Sequence, residues 1–253
     1  MKKIIEALRL RIVYGKMLLS GNLSFRLAMF FLLPSFMRPG IDSIKVFKLY
    51  GRPFTTPNGP REKRTLLNII HEVIGLNQYR VELIPDDALV IDAGANTGVF
   101  SVFAAASYPR ATIYAFEPMP ETFAALRENT KGYSNIKIFN CGLGEKEKAA
   151  SMVISDHSGA NYVGEGSVPV TIKTVDSFNL PASFMKMDTE GYEANIIKGA
   201  AETIRRNRPT IVMSAYHKPG DETALPALLN SITPYDCELR QDHEKDLVCR
   251  PVR

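Results

Sequence analysis

The chain has no tryptophan and only three cysteines among its 253 residues. Cys141, Cys237 and Cys249 are too scattered for a disulfide framework or a Cys-x-x-Cys metal site, and so few thiols are typical of a reducing compartment. We therefore expect a cytoplasmic protein. One local exception is open, because Cys237 and Cys249 can face each other across a C-terminal hairpin.

Long apolar runs are also missing. The longest in the first forty residues, at 27–37, is 11 residues long and contains Pro34 and Ser35. A membrane-spanning helix needs roughly 20 apolar residues. At 11 residues, this run is too short to span a bilayer, so we expect no transmembrane helix. Arg9 and Arg11 interrupt the place where a signal peptide would be apolar, so we expect no cleaved leader.

A general excess of positive charge is absent. The net charge is +4, but residues 1–40 hold seven basic residues against Glu6 alone, which leaves −2 on the remainder of the chain. A nucleic-acid-binding protein normally carries its basic patch on the main body. We therefore predict no nucleic-acid partner.

The first forty residues have the pattern of a basic, amphipathic helix. Basic side chains fall mostly on one face, and apolar residues recur at helical spacing on the other: Ile4, Ile5, Leu8, Ile12 and Leu19. We expect this stripe to be buried against the main domain. An alternative is peripheral contact of residues 1–40 with an anionic membrane surface, with the cluster at 30–33 entering the lipid.

A loop at 51–59, rich in proline and glycine, separates two parts of the chain. We predict a helical N-terminal extension at 1–60 and a catalytic domain at 61–253. Length and composition are those of a globular protein, since 45% of residues are hydrophobic and 23% are charged. Neither indicates an oligomeric state.

From residue 89 to 215 the chain alternates between strand and helix patterns. Short apolar runs predict buried strands at 89–91, 111–116, 136–139, 184–187 and 210–213. Helical periods follow the first, second and fourth runs, at about 100–107, 121–130 and 191–206. A period of two between 145 and 177 predicts a hairpin inserted on the sheet. This alternation is typical of a doubly wound α/β fold, whose ligands bind beyond the C-terminal ends of the strands.

The turn after the first predicted strand discriminates between two cofactors. A dinucleotide site needs a second glycine where this chain has Asn96, and Asp92 would meet a phosphate with the wrong charge. An acid at that position suits the ammonium group of S-adenosylmethionine. Glu117, at the end of the second strand, can accept the ribose hydroxyls of either cofactor. The turn therefore favours S-adenosylmethionine over NAD.

Five short motifs follow the predicted strands. They read Val90-Ile-Asp-Ala-Gly-Ala-Asn-Thr-Gly98, Ala115-Phe-Glu-Pro118, Asn140-Cys-Gly-Leu-Gly144, Thr174-Val-Asp176 and Lys186-Met-Asp-Thr-Glu-Gly-Tyr-Glu193. Together, over about residues 75–217, the chain resembles the FkbM family of class I S-adenosylmethionine-dependent methyltransferases. The resemblance implies a Rossmann-like sheet of seven strands with the last one antiparallel, completed by a C-terminal hairpin.

The resemblance also implies a cofactor and a reaction. The cofactor is S-adenosylmethionine, and the residues expected to bind it are Asp92, Gly94, Ala95, Asn96, Thr97, Gly98, Glu117, Pro118, Asn140, Cys141, Gly142 and Asp188. The implied reaction is O-methylation of a hydroxyl on a small-molecule or glycan acceptor. Two other functions stay open: a catalytically silent binding module at a membrane surface and an NAD-dependent oxidoreductase.

Three residues are candidates for the chemistry of methyl transfer. Asp188 and Glu190 leave the fourth strand two residues apart, so one can orient the cofactor while the other takes the hydroxyl proton. His217 follows the fifth strand and titrates near neutrality. Glu190 and Glu193 have a second interpretation, in which they complement a helix dipole. No clear second and third carboxylate ligand accompanies Asp188, so we predict no bound metal.

Overall fold

The structure is a computed structural model, and it describes residues 2–34, 37–40, 47–57, 60–154, 161–241 and 244–252. The last two residues of the predicted loop at 51–59 and the side chains of Ile4 and Ile5 lie outside the described part. In the described residues, no helix is both long enough and apolar enough to cross a bilayer.

The chain begins with two helices and a small hairpin. These elements are α1 (Lys2–Leu19), α2 (Phe25–Leu32), β1 (Phe47–Leu49), β2 (Arg52–Phe54) and α3 (Pro60–Ile70). The hairpin is antiparallel, and α3 continues into one π-helical turn at His71–Gly75. Side chains of this region pack in one continuous hydrophobic cluster with Val90 and Ile113 of the central sheet. The N-terminal extension and the sheet therefore share a core.

Strands and helices then alternate, as the sequence predicts. The elements are β3 (Leu89–Ala93), α4 (Val99–Ser107), β4 (Thr112–Phe116), α5 (Pro120–Thr130), β5 (Ile136–Phe139), β6 (Gly142–Leu143), β7 (Lys148–Val153), β8 (Tyr162–Gly164), β9 (Val168–Lys173), β10 (Phe184–Met187), α6 (Glu193–Gly199), α7 (Ala201–Asn207), β11 (Thr210–Ser214), α8 (Asp221–Ile232), β12 (Tyr235–Arg240) and β13 (Asp246–Pro251). The predicted single helix at 191–206 is two helices, α6 and α7.

The central sheet has seven strands in the order β12-β13-β11-β10-β3-β4-β5. β13 runs antiparallel to both of its neighbours, while the pairs from β11 to β5 are parallel. The predicted Rossmann-like sheet with an antiparallel last strand is thus confirmed. The three central strands, β3, β10 and β11, are buried on both faces, which is why they read as continuous apolar runs rather than alternating ones.

The segment between β5 and β10 departs from the prediction. It forms a separate four-stranded sheet in the order β6-β9-β7-β8, not a hairpin on the central sheet. Met152, Val170 and Ile172 bury their side chains in a small cluster of their own with Met119. This local core explains why the segment pairs with itself.

The packing of α1 was predicted on the wrong face. Leu8, Ile12 and Leu19 are exposed, whereas Tyr14 and Met17, on the opposite face, are buried in the core. The helix carries two apolar stripes, and the aromatic one is buried because Tyr14 can stack on neighbouring rings. The predicted entry of the cluster at 30–33 into lipid is wrong for Phe31, whose ring stacks on Tyr14 with centroids 4.3 Å apart.

Cys237 and Cys249 form a disulfide across β12 and β13, where they are directly opposite in the register. This is the cross-strand pairing that the sequence left open. Cys141 is a buried free thiol.

Candidate functional site

A cavity of about 250 Å³ lies beyond the C-terminal ends of β3, β4 and β10. Its wall includes the loops that follow these strands, part of α3, and Met152 and Val163 of the inserted sheet. Nine of the predicted site residues line it: Gly94, Ala95, Asn96, Thr97, Glu117, Pro118, Gly142, Asp188 and Glu190. The position is where open α/β sheets bind their ligands.

The glycine turn after β3 is required by a close backbone contact. Gly94 has a φ of +74°, and a Cβ atom there would lie 1.9 Å from the carbonyl oxygen of Asp188. Gly98, with a φ of +93°, precedes α4 directly, and a Cβ would approach a Leu126 methyl to 2.7 Å. Only glycine fits these two positions, so the turn can pass between β10 and α5 and present its backbone to the cavity.

Glu117 is held by the backbone of two loops. One carboxylate oxygen accepts the Asn96 N–H at 3.0 Å, and the other accepts the Met119 N–H at 2.9 Å. Burial raises the pKa of Glu117 to about 7, although both backbone hydrogen bonds oppose the shift. Asn140 donates to the carbonyl oxygens of Glu117 and Pro118, so it shapes this loop without lining the cavity.

Asp92 departs from its predicted role. Its side chain is fully buried, accepts a hydrogen bond from the Ser101 hydroxyl at 2.6 Å and pairs with the Lys186 ammonium at 3.1 Å. Asp92 is not part of the cavity wall, whereas Lys186 is. Lys186 also donates to the Gly94 carbonyl oxygen at 2.7 Å. The cation that Asp92 meets is therefore a lysine of the chain itself, and the pair braces the glycine turn. Cys141 and Gly98 lie outside the wall as well.

The three predicted catalytic residues come together at the other end of the cavity, where Asp188 and Glu190 line the wall and His217 does not. His217 Nε2 lies 3.5 Å from an oxygen of Asp188 and 3.5 Å from one of Glu190. His217 Nδ1 lies 3.2 Å from Glu193, whose carboxylate also accepts the Thr189 N–H at 2.8 Å. One imidazole thus faces three carboxylates at ion-pair distance.

This crowding of charge shifts several pKa values. Burial alone would lower the pKa of His217, but the contact with Glu193 and the charges of Asp188 and Glu190 raise it to about 9. Burial, together with the charge of Asp188, raises the pKa of Glu190 to about 7 against the opposing effect of His217. At neutral pH, His217 is therefore a cation, and Glu190 is poised between its two protonation states.

Residues 92–241 match the family described as the methyltransferase FkbM domain. The chain belongs to this family. A fungal relative, "Methyltransferase 1" of Beauveria bassiana, is 27% identical over 65% of this chain and 80% of its own. The hexuronic acid methyltransferase AglP of Haloferax volcanii is 30% identical over 55% of this chain and 62% of its own. The 31-O-demethyl-FK506 methyltransferase FkbM of Streptomyces tacrolimicus is 52% identical over 21% of this chain and 20% of its own.

The crystal structure of an FkbM methyltransferase from Methylobacillus flagellatus has the same fold. Its TM-score is 0.53 at 21% identity, and the match covers 76% of this chain and 55% of that one. The chain thus spans just over half of that relative. Family and fold together make this protein a methyltransferase and imply the use of S-adenosylmethionine. They lend no support to a silent module or an NAD-dependent oxidoreductase.

The chain described here also contains a set of side chains that can hold a metal ion. Asp188, Glu193 and His217 each offer one ligand atom, and these atoms lie within 4.8 Å of one another. The reason given for predicting no metal, the lack of further ligands, is therefore wrong. The absence of a bound metal stays a prediction, and it now depends on the partners that these groups already have: Thr189 on Glu193 and Tyr79 on Asp188.

Three residues of the site escaped the sequence analysis. Tyr79 donates to Asp188 at 2.6 Å, with the Lys186 ammonium 5.1 Å from its ring centre. Glu72 lines the cavity from the π-helical turn, and burial raises its pKa to about 7. Lys186 is the first residue of one of the five motifs, but no pattern in the neighbouring sequence predicts its ion pair with Asp92. Tyr79 and Glu72 belong to no motif, so only the tertiary structure finds them.

Proposed function

We propose that this FkbM-family protein transfers a methyl group from S-adenosylmethionine to a hydroxyl oxygen of a sugar, a glycan or a related hydroxylated metabolite. The observation that carries the proposal is one cavity whose two ends differ: a glycine turn with Glu117 at one, and the carboxylates of Asp188 and Glu190 at the other. The names of two relatives, a hexuronic acid methyltransferase and an O-demethyl-FK506 methyltransferase, support this class of acceptor.

The residues at the first end fit the proposed cofactor. Gly94 and the carboxylate of Glu117 both line the cavity, where the carboxylate can accept hydrogen bonds from ribose hydroxyls. Within the described residues, two side chains of the cavity wall have a buried polar atom without a hydrogen bond, namely the hydroxyl of Thr97 and the Asp188 oxygen that faces His217 Nε2 at 3.5 Å. Both residues line the same cavity, and both are suited to a polar ligand. S-adenosylmethionine supplies an electrophilic methyl group bonded to a sulfonium.

The residues at the second end have the task of removing the hydroxyl proton. Glu190 lines the cavity and is partly exposed to it, so we assign it the role of general base. The Glu190 carboxylate would take up the proton that the acceptor hydroxyl loses when its oxygen is methylated. His217 is a positioning residue, because its imidazolium holds Asp188 and Glu190 at a fixed separation while Glu193 fixes its ring.

The test of this proposal is in two steps. Calorimetric titration with S-adenosylhomocysteine, with NAD as the control ligand, is expected to give micromolar binding of the first and none of the second. A screen of neutral, amino and uronic sugars and of hydroxylated metabolites, with release of S-adenosylhomocysteine as the readout, then identifies the acceptor. Binding of NAD, or a folded protein that binds neither ligand, would contradict the proposal.

Several further predictions stand beside it. We keep the prediction that the acceptor is not a nucleic acid, which rests on the −2 charge of the chain beyond residue 40. The division into a helical extension at 1–60 and a catalytic domain at 61–253 stays a proposal about functional regions, because the two share one hydrophobic core. A cytoplasmic location also stays a proposal, and the Cys237–Cys249 disulfide does not support it, because disulfides are rare in reducing compartments.

A further inference from the structure

One face of α1 is apolar and faces solvent. The exposed fractions of Leu8, Ile12 and Leu19 are 59%, 51% and 90%. Their spacing of four and seven residues places them on a single side of the helix, opposite the buried Tyr14 and Met17. Large exposed apolar groups that share one face of a helix indicate a contact surface rather than chance exposure.

Positive charge borders this apolar face on both sides. Helical spacing puts Arg9 and Lys16 along one flank and Arg11 along the other, and all three are exposed. No aspartate or glutamate occurs anywhere from residue 7 to residue 40. A surface that is apolar in the middle, basic at both flanks and free of acids complements a layer whose interior is apolar and whose surface is anionic.

The next helix adds groups of the same two kinds. Phe25, the first residue of α2, is 67% exposed, and the adjacent Arg26 is exposed as well. The remainder of α2 is turned to the protein, since Leu27 and Ala28 are fully buried and Phe31 stacks on Tyr14. The interior contacts of both helices are therefore made without Leu8, Ile12, Leu19 and Phe25.

We propose that the α1 face, defined as Leu8, Ile12 and Leu19 with Arg9, Arg11 and Lys16, docks this protein on an anionic lipid bilayer. The apolar side chains enter the boundary between headgroups and acyl chains, and the basic side chains bind lipid phosphates. Neither the apolar side chains nor the basic side chains alone give stable attachment, so binding depends on both groups. The docking is independent of the catalytic proposal, because none of these residues lines the cavity.

The experiment is co-sedimentation of the full-length protein with two kinds of vesicle, one of pure phosphatidylcholine and one with a quarter of its lipid replaced by phosphatidylglycerol. Wild type is expected to bind the anionic vesicles and to lose this binding as salt increases. The triple variant Leu8→Ser, Ile12→Ser, Leu19→Ser and the triple variant Arg9→Gln, Arg11→Gln, Lys16→Gln should each lower the partition coefficient by at least about tenfold.

A matched control is the double variant Leu239→Ser, Val252→Ser, which removes exposed apolar groups from the C-terminal hairpin. It should bind the vesicles like wild type. Affinity for S-adenosylhomocysteine, unchanged in all variants, shows that each is folded. Equal vesicle binding by wild type and the serine triple variant would overturn the proposal. The proposal would also be overturned if wild type were a dimer that binds no vesicles and the serine triple variant were a monomer, since a second copy of the chain would then cover the face.

Discussion

The two ends of the cavity are built on different principles. At the glycine turn, the geometry is set by backbone groups. Gly94 lies in close contact with the Asp188 carbonyl oxygen, and two backbone N–H groups donate hydrogen bonds to Glu117. At the other end, the geometry is set by charged side chains, because His217 lies among the carboxylates of Asp188, Glu190 and Glu193. The first end is shaped mainly by steric contacts and backbone hydrogen bonds, although Glu117 there also has a pKa of about 7. The second depends on which groups carry protons.

This difference assigns the two ends to different tasks. A rigid backbone cradle suits a cofactor that is the same in every turnover. Buried carboxylates with raised pKa values suit proton transfer, because a general base works best when its pKa lies near the operating pH. Changes at the first end should therefore alter binding, and changes at the second end should alter turnover.

The largest effect is expected from Glu190→Gln. This variant keeps the shape of the side chain but cannot take the hydroxyl proton, so kcat should fall by about 10²- to 10⁴-fold. Affinity for S-adenosylhomocysteine should stay within about twofold, because the change lies at the other end of the cavity. Glu202→Gln, on the outer surface of α7, is the matched control and should turn over normally. Wild-type kcat in Glu190→Gln would remove this residue from the mechanism.

Asp92→Asn should be the most damaging change for stability. It leaves the buried ammonium of Lys186 without its carboxylate, which costs about 3–5 kcal/mol of unfolding free energy. Asp86→Asn breaks the exposed pair with Arg110 and should cost less than about 1 kcal/mol. Urea denaturation of both variants measures the contrast. If the two changes cost the same, the buried pair does not brace the glycine turn.

Gly94→Ala separates the close contact from backbone strain. Gly94 and Gly220 both have a positive φ, but a Cβ at Gly220 would meet nothing within 4 Å. Gly220→Ala should therefore cost only about 1–2 kcal/mol of stability and leave S-adenosylhomocysteine binding intact. Gly94→Ala must also displace the Asp188 carbonyl, so we expect binding to weaken at least about tenfold. Calorimetric titration of both variants with S-adenosylhomocysteine measures the contrast. Equal affinities in the two variants would show that the close contact between Gly94 and the Asp188 carbonyl is unimportant for binding.

The pH dependence of kcat should reveal the charged end. Turnover should rise as Glu190 deprotonates around its pKa of about 7, and fall as His217 loses its proton around its pKa of about 9. The raised pKa of His217 also stabilises the fold. That contribution is complete below its ordinary pKa of 6.5 and is lost as the pH rises through about 9.

His217→Gln tests the upper limb of that profile. It should lower kcat at every pH and abolish the decline above about pH 9, because the ionising group is gone. A rate that does not change between about pH 6 and about pH 8 would contradict the role of Glu190.

The smallest effect is expected from a chelator. Because Thr189, Tyr79 and His217 already face Glu193 and Asp188, we expect EDTA to leave kcat unchanged. Calorimetric titration with manganese should likewise give no binding at the site. Loss of activity with EDTA, restored by a divalent metal, would show that Asp188, Glu193 and His217 are metal ligands instead.

The sequence predicted the elements of the site better than their connections. The seven-stranded sheet and its antiparallel last strand followed from the alternation of apolar runs and the family resemblance, and both are confirmed. The buried face of α1 was predicted wrongly, because periodicity identifies an apolar stripe but not which of two stripes finds a partner. The four-stranded insertion was predicted as a hairpin, since pairing between β6 and β9 joins segments far apart in the chain.

By itself, the sequence determined the strand–helix alternation of a Rossmann-like sheet, a glycine turn and polar residues at the strand ends, while its motifs carried the resemblance to a methyltransferase family. These depend on local patterns: buried strands must be apolar, and a tight turn must contain glycine. The tertiary structure decided which charges meet. It paired Asp92 with Lys186, joined Tyr79 to Asp188 and enclosed His217 between carboxylates. The physical reason is that ion pairs and hydrogen bonds depend on distances of a few ångströms between residues far apart in the chain, and only the packed fold sets those distances.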